Sequence, residues 1–319
     1  MTDHINITNQ SDDSGSVNDI VLTSNDRFER RFLLKDKRIG VSISECEDLE
    51  ELGFDINHLR DAMIETAKYT LSLGGALAYG GDLRNGGFTE LFFDLLNYYN
   101  VPDSNEERFY SYLAWPLSLN LTKEQRAELI TKVTFIPVDP PSDIEIKDLN
   151  EFLPPSKGEN QYLWARCLTE MREKMNHSCD ARVFLGGKTS GFKGKYPGVL
   201  EEFVIALNKE QPIFLIGAFG GVTKQIVALL EDKDTSIFDQ DYMADNEEYQ
   251  KLITLFNQNY SEKPVNYSEI KEVINKLGWE GISLLNGLTL SQNKRLATTP
   301  HISEIIYLIL LGLTQKFSS

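Results

Sequence analysis

The chain has 319 residues, 41% hydrophobic and 25% charged, an ordinary globular composition. Its 32 Lys+Arg against 48 Asp+Glu give a formal net charge of −16, so the general surface repels nucleic-acid phosphates and anionic lipid heads. Three cysteines, Cys46, Cys167 and Cys179, and four scattered histidines make neither a disulfide framework nor a zinc spacing.

Residues 1–26, rich in Asp, Asn, Ser and Thr, are expected to be a disordered acidic leader. They lack the basic start and apolar centre of a signal peptide. Arg38 to Ser44 reads as a short buried strand ending in serines, Ser42 and Ser44. A helix carrying His58, Leu59, Ala62, Met63, Thr66 and Ala67 follows. A second strand, Gly75 to Tyr79, runs into Gly80-Gly81-Asp82-Leu83-Arg84-Asn85-Gly86-Gly87, and Thr89 opens an apolar helix. Tyr110 to Trp115, stopped by Pro116, and Val133 to Ile136 are the next apolar runs. After a polar loop of roughly eighteen residues, a helix over 160–175 leads to the strand Ala181 to Leu185 and then Gly186-Gly187-Lys188. Pro197-Gly198 opens a helix. Pro212 to Ile216 is the last clear strand, followed by Gly217-Ala218-Phe219-Gly220-Gly221 and a helix to Leu230. Beyond an acid run at 231–248 the pattern is helical, and its longest apolar stretch, Ile305 to Leu313, falls short of the ~20 residues of a membrane span.

Strands apolar on both faces that alternate with helices predict an α/β, Rossmann-like, mostly parallel sheet covered on both sides. The expected division is a nucleotide-binding domain over 27–232 and a helical C-terminal extension over 233–319 packed on the same domain. Such sheets bind ligands at the carboxyl ends of their strands. Glycine clusters stand at three such ends, after Tyr79, Leu185 and Ile216. There, close backbone approach and the amide-rich start of the next helix suit a phosphate. Residues 166–195 hold seven cations against three acids, which predicts a local positive field around an anionic ligand.

Ser42 and Ser44 either reach a phosphate or simply end a strand. Asp82 and Arg84 either contact ligand or pair with each other. Trp115 and Phe219 either stack on a base or lie buried. No Walker loop and no GxGxxG are present. The expected protein is soluble and cytoplasmic, needing no metal or cofactor.

Gly194-Lys195-Tyr196-Pro197-Gly198-Val199-Leu200-Glu201-Glu202 resembles, in shortened form, the Pro-Gly-Gly-x-Gly-Thr-x-x-Glu signature of LOG-type phosphoribohydrolases. The wider pattern resembles the SLOG superfamily. It runs through Ser42-Ile43-Ser44, Tyr79 to Thr89, Met171-Arg172, Gly186-Gly187-Lys188, Pro197 to Glu202 and Gly217 to Gly221. Leu285-Asn286-Gly287-Leu288 through Leu311-Gly312-Leu313 is similar to the helical tail of stand-alone members. The resemblance implies a Rossmann-like domain that binds a nucleotide-derived ligand such as ADP-ribose, a cyclic isomer or another NAD-derived signal. Related modules serve Thoeris-type antiphage effectors and TRPM-type channels. With no attached effector domain, an effector protein partner or a homo-oligomer is expected to carry the output; the acidic charge and the short apolar stretch predict no general nucleic-acid or membrane binding.

As an alternative, LOG-like enzymes cleave an N-glycosidic bond with a glutamate and an arginine. By position Glu202 matches the glutamate and Arg172 falls near the arginine. This helix has Met171-Arg172 where the family has an Arg-Lys pair. The loop Pro197-Gly198-Val199 lacks the second glycine and the threonine, which weighs against hydrolysis more than against binding. The implied ligand-binding set is Ser42, Ser44, Gly80, Gly81, Asp82, Arg84, Gly86, Gly87, Thr89, Arg172, Gly186, Gly187, Lys188, Pro197, Gly198, Glu201, Glu202, Gly217, Phe219, Gly220 and Gly221. Within the glutamate pair, Glu201 is expected to be the exposed member.

Overall fold

A computed structural model describes residues 32–81, 87–99, 108–123, 127, 133–156, 158–233, 235–239, 242 and 246–318. Six strands form one parallel sheet: β1 (Arg38–Ser44), β2 (Ala76–Gly80), β3 (Phe109–Ala114), β4 (Thr134–Val138), β5 (Ala181–Gly186) and β6 (Ile213–Ile216). Their order is β4-β3-β2-β1-β5-β6. The chain winds outward from β1 to β4, then returns to the other side of β1. The switch point therefore lies between β1 and β5, where Ser44 pairs with Gly186, and ligands of open α/β sheets bind at such a crevice.

Nine α-helices are described: α1 (Ile56–Ser72), α2 (Phe88–Tyr99), α3 (Glu159–His177), α4 (Gly198–Asn208), α5 (Gly221–Leu230), α6 (Glu247–Asn259), α7 (Tyr267–Asn286), α8 (Leu290–Thr298) and α9 (Ile302–Phe317). The two-residue period of a strand sorts their partners. Ile39, Val41 and Ile43 of β1, with Val183 and Leu185 of β5, share one core with Leu59 and Met63 of α1, Phe92 of α2, and Ile305, Ile309 and Leu313 of α9. The intervening Phe184 joins Ala165 of α3 and Leu200 and Phe203 of α4. The apolar stretch at 305–313 is thus largely core.

The tail is fastened by polar groups as well. Asn286, at the end of α7, donates from Nδ2 to the Ile213 carbonyl of β6 at 2.7 Å and to Asn293 Oδ1 of α8 at 2.7 Å. Its own Oδ1 accepts from the Leu288 amide. A buried amide satisfied on every side fixes one arrangement of α7, α8 and β6. No described helix is long and apolar enough to cross a membrane.

Candidate functional site

The alternation that puts Ile39, Val41 and Ile43 on one face of β1 turns Gly40, Ser42 and Ser44 to the other, beneath α4. Arg182 of β5 points the same way. Gly40 leaves the space its guanidinium needs, since a Cβ there would lie 3.1 Å from Arg182 Cζ. Arg182 is 0% exposed, which demands a full set of acceptors. It donates to Ser42 Oγ from Nη2 at 2.6 Å, to Asn176 Oδ1 from Nη1 at 3.1 Å and to Glu202 Oε2 from Nη2 at 2.5 Å. Ser42 donates to the same Glu202 oxygen at 2.6 Å.

The first turn of α4 supplies the acids. Glu201 accepts from Thr169 Oγ1 at 2.5 Å and from Arg172 Nη1 of α3. Arg172 also faces Glu202, with Nε 3.7 Å from Oε1. Its guanidinium lies over the start of α4, because a Cβ on Gly198 or on Gly194 would come within 2.8 Å of it. One cation therefore stands at a helix N-terminus, held there by two carboxylates. Glu201 and Glu202 are both buried. This corrects the expectation that Glu201 is exposed: α3 covers that side of the turn.

The predicted positive field is corrected too. Arg166 Nη2 lies 2.8 Å from both Asp143 carboxylate oxygens, Arg172 meets Glu201, Arg182 meets Glu202, and Lys195 faces Glu201 at 3.9 Å. Four of the seven cations in 166–195 are turned inward toward acids outside that window, and three of them, Arg166, Arg172 and Arg182, are hydrogen-bonded to those acids. Charge counted along the chain is not charge in space.

The glycine turns after β5 and β6 come together. Gly187 N–H donates to the Ser44 carbonyl, Val222 N–H to the Gly187 carbonyl, and Thr223 Oγ1 to the Gly186 carbonyl, each at 3.0 Å. The Lys188 amide donates to Ser44 Oγ at 3.0 Å. Gly221, with φ of 64°, packs so closely that a Cβ would lie 2.4 Å from the Gly187 oxygen. These contacts leave no room for a side chain at Gly221.

The remaining donors carry carboxylates from the segment after β1. Asp48 Oδ1 accepts from the Gly221 amide at the start of α5 at 2.7 Å, and Oδ2 lies 3.4 Å from Lys224 Nζ. Glu47 accepts from the amides of Thr189 and Ser190, both at 3.2 Å, and from their hydroxyls at 3.0 and 2.9 Å. Between them, Cys46 donates to the Phe219 carbonyl at 3.1 Å. Burial and then the neighbouring Asp48 push its thiol up to about 12, so it is protonated at neutral pH and no nucleophile.

For Glu47, burial opposes ionisation, but the hydrogen bonds from Thr189 and Ser190 outweigh it and hold the carboxyl below its usual range. A folded pKa below the unfolded one stabilises the tether above the ordinary Glu value of ~4.3. The tether is then lost as pH falls through the folded value. The Thr189 and Ser190 amide proton resonances are expected to titrate together below about pH 4.3, and the titration should vanish in Glu47→Gln.

Other predicted residues fall elsewhere. Gly80 ends β2 against Met171 and Met175 of α3, and Gly81 lies against Thr89 and Tyr79. Thr89 is buried with no hydrogen bond to its hydroxyl among the described residues. Gly87 precedes α2, while Asp82, Arg84 and Gly86 lie outside the described residues. Pro197 caps α4. Gly217 packs on the Ala297 carbonyl of α8. Phe219 is buried edge-on against Phe54, and Trp115 is buried with its indole donating to the Leu149 carbonyl at 2.9 Å. Neither ring offers a face to a base.

The site thus unites Ser42, Ser44, Arg172, Gly186, Gly187, Lys188, Gly198, Glu201, Glu202, Gly220 and Gly221. Glu47, Asp48, Arg182, Asn176 and Thr189 were not among the predicted site residues. The acid run Glu45-Cys46-Glu47-Asp48, following directly on the first strand, was the available signal for two of them. No group of three His, Cys, Asp or Glu side chains able to hold a metal exists among the described residues.

No curated protein matches the chain. Among solved structures it is similar to the X-ray structure of TM1055, a Northeast Structural Genomics Consortium target, at 15% identity over 60% of this chain and 79% of that one, with a TM-score of 0.35. The profile of SLOG cluster2 matches residues 33–296, most of the chain and all six strands. The chain belongs to the SLOG cluster2 family.

Proposed function

We propose that this protein binds a nucleotide-derived anion, ADP-ribose or a related NAD-derived nucleotide, at the carboxyl ends of β1, β5 and β6. In this proposal it acts as a sensor whose output passes to a partner protein or to further copies of itself, in prokaryotic antiviral defence. Membership of the SLOG family supports a nucleotide-related ligand-binding or glycosidase role. One observation carries the choice of site: the amides of Thr189, Ser190 and Gly221 around the switch point are each given to a carboxylate of the protein itself, Glu47 on Thr189 and Ser190 and Asp48 on Gly221. Donors that hold a carboxylate suit a phosphate oxygen equally well. Ligand phosphates would displace the two acids, freeing the segment after β1 to move.

ADP-ribose is expected to raise the melting temperature by linkage. The Glu47→Gln/Asp48→Asn variant should bind it about tenfold more tightly, because a charge-assisted competitor worth ~1.5–3 kcal/mol is weakened. Absence of any shift with ADP-ribose, cyclic ADP-ribose, NAD and AMP overturns the assignment.

A second reading, N-glycosidic hydrolysis, draws on the geometry of Glu202. Ser42 and Arg182 anchor Oε2, while Oε1 takes no hydrogen bond among the described residues and stands 3.7 Å from the buried, unpaired Arg172 Nε. A fixed carboxylate oxygen of this kind is what a developing ribosyl cation needs. Release of free base from AMP, CMP or NAD, lost in Glu202→Gln with binding retained, would establish it. No release from the intact protein would dismiss it.

A further inference from the structure

Beside α4, a cavity of about 290 Å³ lies between α3 and α4 on one side and α7 with its preceding loop on the other. Its apolar lining comes from Val204, Ile205 and Leu207 of α4 and Ile270, Val273 and Ile274 of α7. Val273 is 42% exposed, so the cavity reaches the surface there. Lys195 also lines it and is only 7% exposed.

The Lys195 ammonium makes no hydrogen bond among the described residues. Its nearest carboxylate oxygen, Glu201 Oε1, is 3.9 Å away and already accepts from Thr169, while Oε2 is taken by Arg172. The rings of Phe256 and Tyr196 flank it at 5.1 and 5.5 Å, a weaker compensation than an acceptor. Burial pushes its amine pKa down. A buried cation short of an acceptor is a standing cost that an incoming anion relieves.

Charge around the cavity decides which anion. Glu173, Glu201, Glu262 and Glu269 line it against Lys195 and Lys263, the latter tied to Glu173 at 2.8 Å. With more acids than lysines around it, the cavity disfavours every added negative charge, so a polyanion such as a nucleotide is repelled far more than one carboxylate set on Lys195 and carried on an apolar body. The volume lies at the small end of ligand pockets, roughly 300–1,000 Å³, enough for one ring or a short branched chain.

We propose that this cavity is a second ligand site, taking a small apolar monocarboxylate whose carboxylate sits on Lys195 Nζ. Apart from Glu201, its lining is separate from the residues gathered at the strand ends. Occupancy would nonetheless be felt there, because Glu201 stands between Lys195 and Arg172.

The test titrates the full chain with benzoate and 3-methylbutanoate, and with benzamide and 3-methylbutanamide as uncharged counterparts, read by thermal shift and calorimetry. The acids are expected to stabilise saturably and the amides not. Lys195→Met should weaken the acids at least about tenfold. Val273→Trp, which keeps Lys195 and fills the cavity from its exposed wall, should abolish binding. Acids no better than amides, or acids equally effective on either variant, overturn the proposal. If Lys195→Met does not fold, the acid–amide contrast and Val273→Trp decide it alone.

Discussion

Replacing Arg182 with methionine is expected to cost about 3–5 kcal/mol of folding stability, measured as a lower urea midpoint with an unchanged slope. The guanidinium is wholly enclosed and serves Ser42, Asn176 and Glu202 at once. Its removal leaves the Glu202 carboxylate desolvated without its closest countercharge. Breaking one half of a buried ion pair costs far more than the pair contributes. The double variant Arg182→Met/Glu202→Gln removes the stranded charge and should recover a substantial part of the loss. A loss under about 1 kcal/mol in the single variant, within the range of ordinary point mutants, would show that Glu202 finds solvent instead. A double variant no better than the single would show that packing, rather than charge, dominates.

Gly221→Ala should destabilise by about 3 kcal/mol, against about 1 kcal/mol for Gly191→Ala. The two glycines share a left-handed φ, 64° and 63°, and so share the conformational penalty of a Cβ, ~1–2 kcal/mol. They differ in surroundings. A Cβ on Gly191 meets nothing within 4 Å, whereas one on Gly221 lies 2.4 Å from the Gly187 oxygen and 2.7 Å from Cys46 Cβ. A backbone oxygen cannot rotate away, so the overlap adds the ~1–3 kcal/mol of an overpacked core. The difference between the variants measures how tightly the turns after β5 and β6 are pressed together. Equal losses would mean that the turns yield easily.

Much of this was readable in the amino-acid order. Apolar runs such as Ile39 to Ile43 and Val183 to Leu185 alternate with helical spacings, and this rhythm sufficed for a parallel sheet with helices on both faces. The strand ends carry glycines because backbones meet there. Side-chain pairing over long separations was harder to read. Arg182 sits inside an apolar run, and nothing in its neighbours says that Gly40, far away in sequence, leaves a hole for it. Glu201 and Glu202 look equivalent until α3 is laid against α4. Glu47 and Asp48 read as part of an acidic surface because their partners, Thr189, Ser190 and Gly221, lie more than 140 residues on. Local rules see periodicity and turn chemistry, but the partner of a buried charge is decided by tertiary packing.

The fastening of α7 and α8 to β6 bears on how copies of this protein can associate. The sheet's exposed rims are where a neighbouring chain would extend it. On one rim, the outward carbonyl of Ile213 is already satisfied by Asn286, and α8 lies beside the strand. On the other, the Val138 carbonyl accepts from the Trp115 amide, so the alternate residue, Pro137, turns outward and presents no N–H. Neither border is an inviting template for strand-by-strand growth, which favours the helical flanks as the surfaces for any assembly.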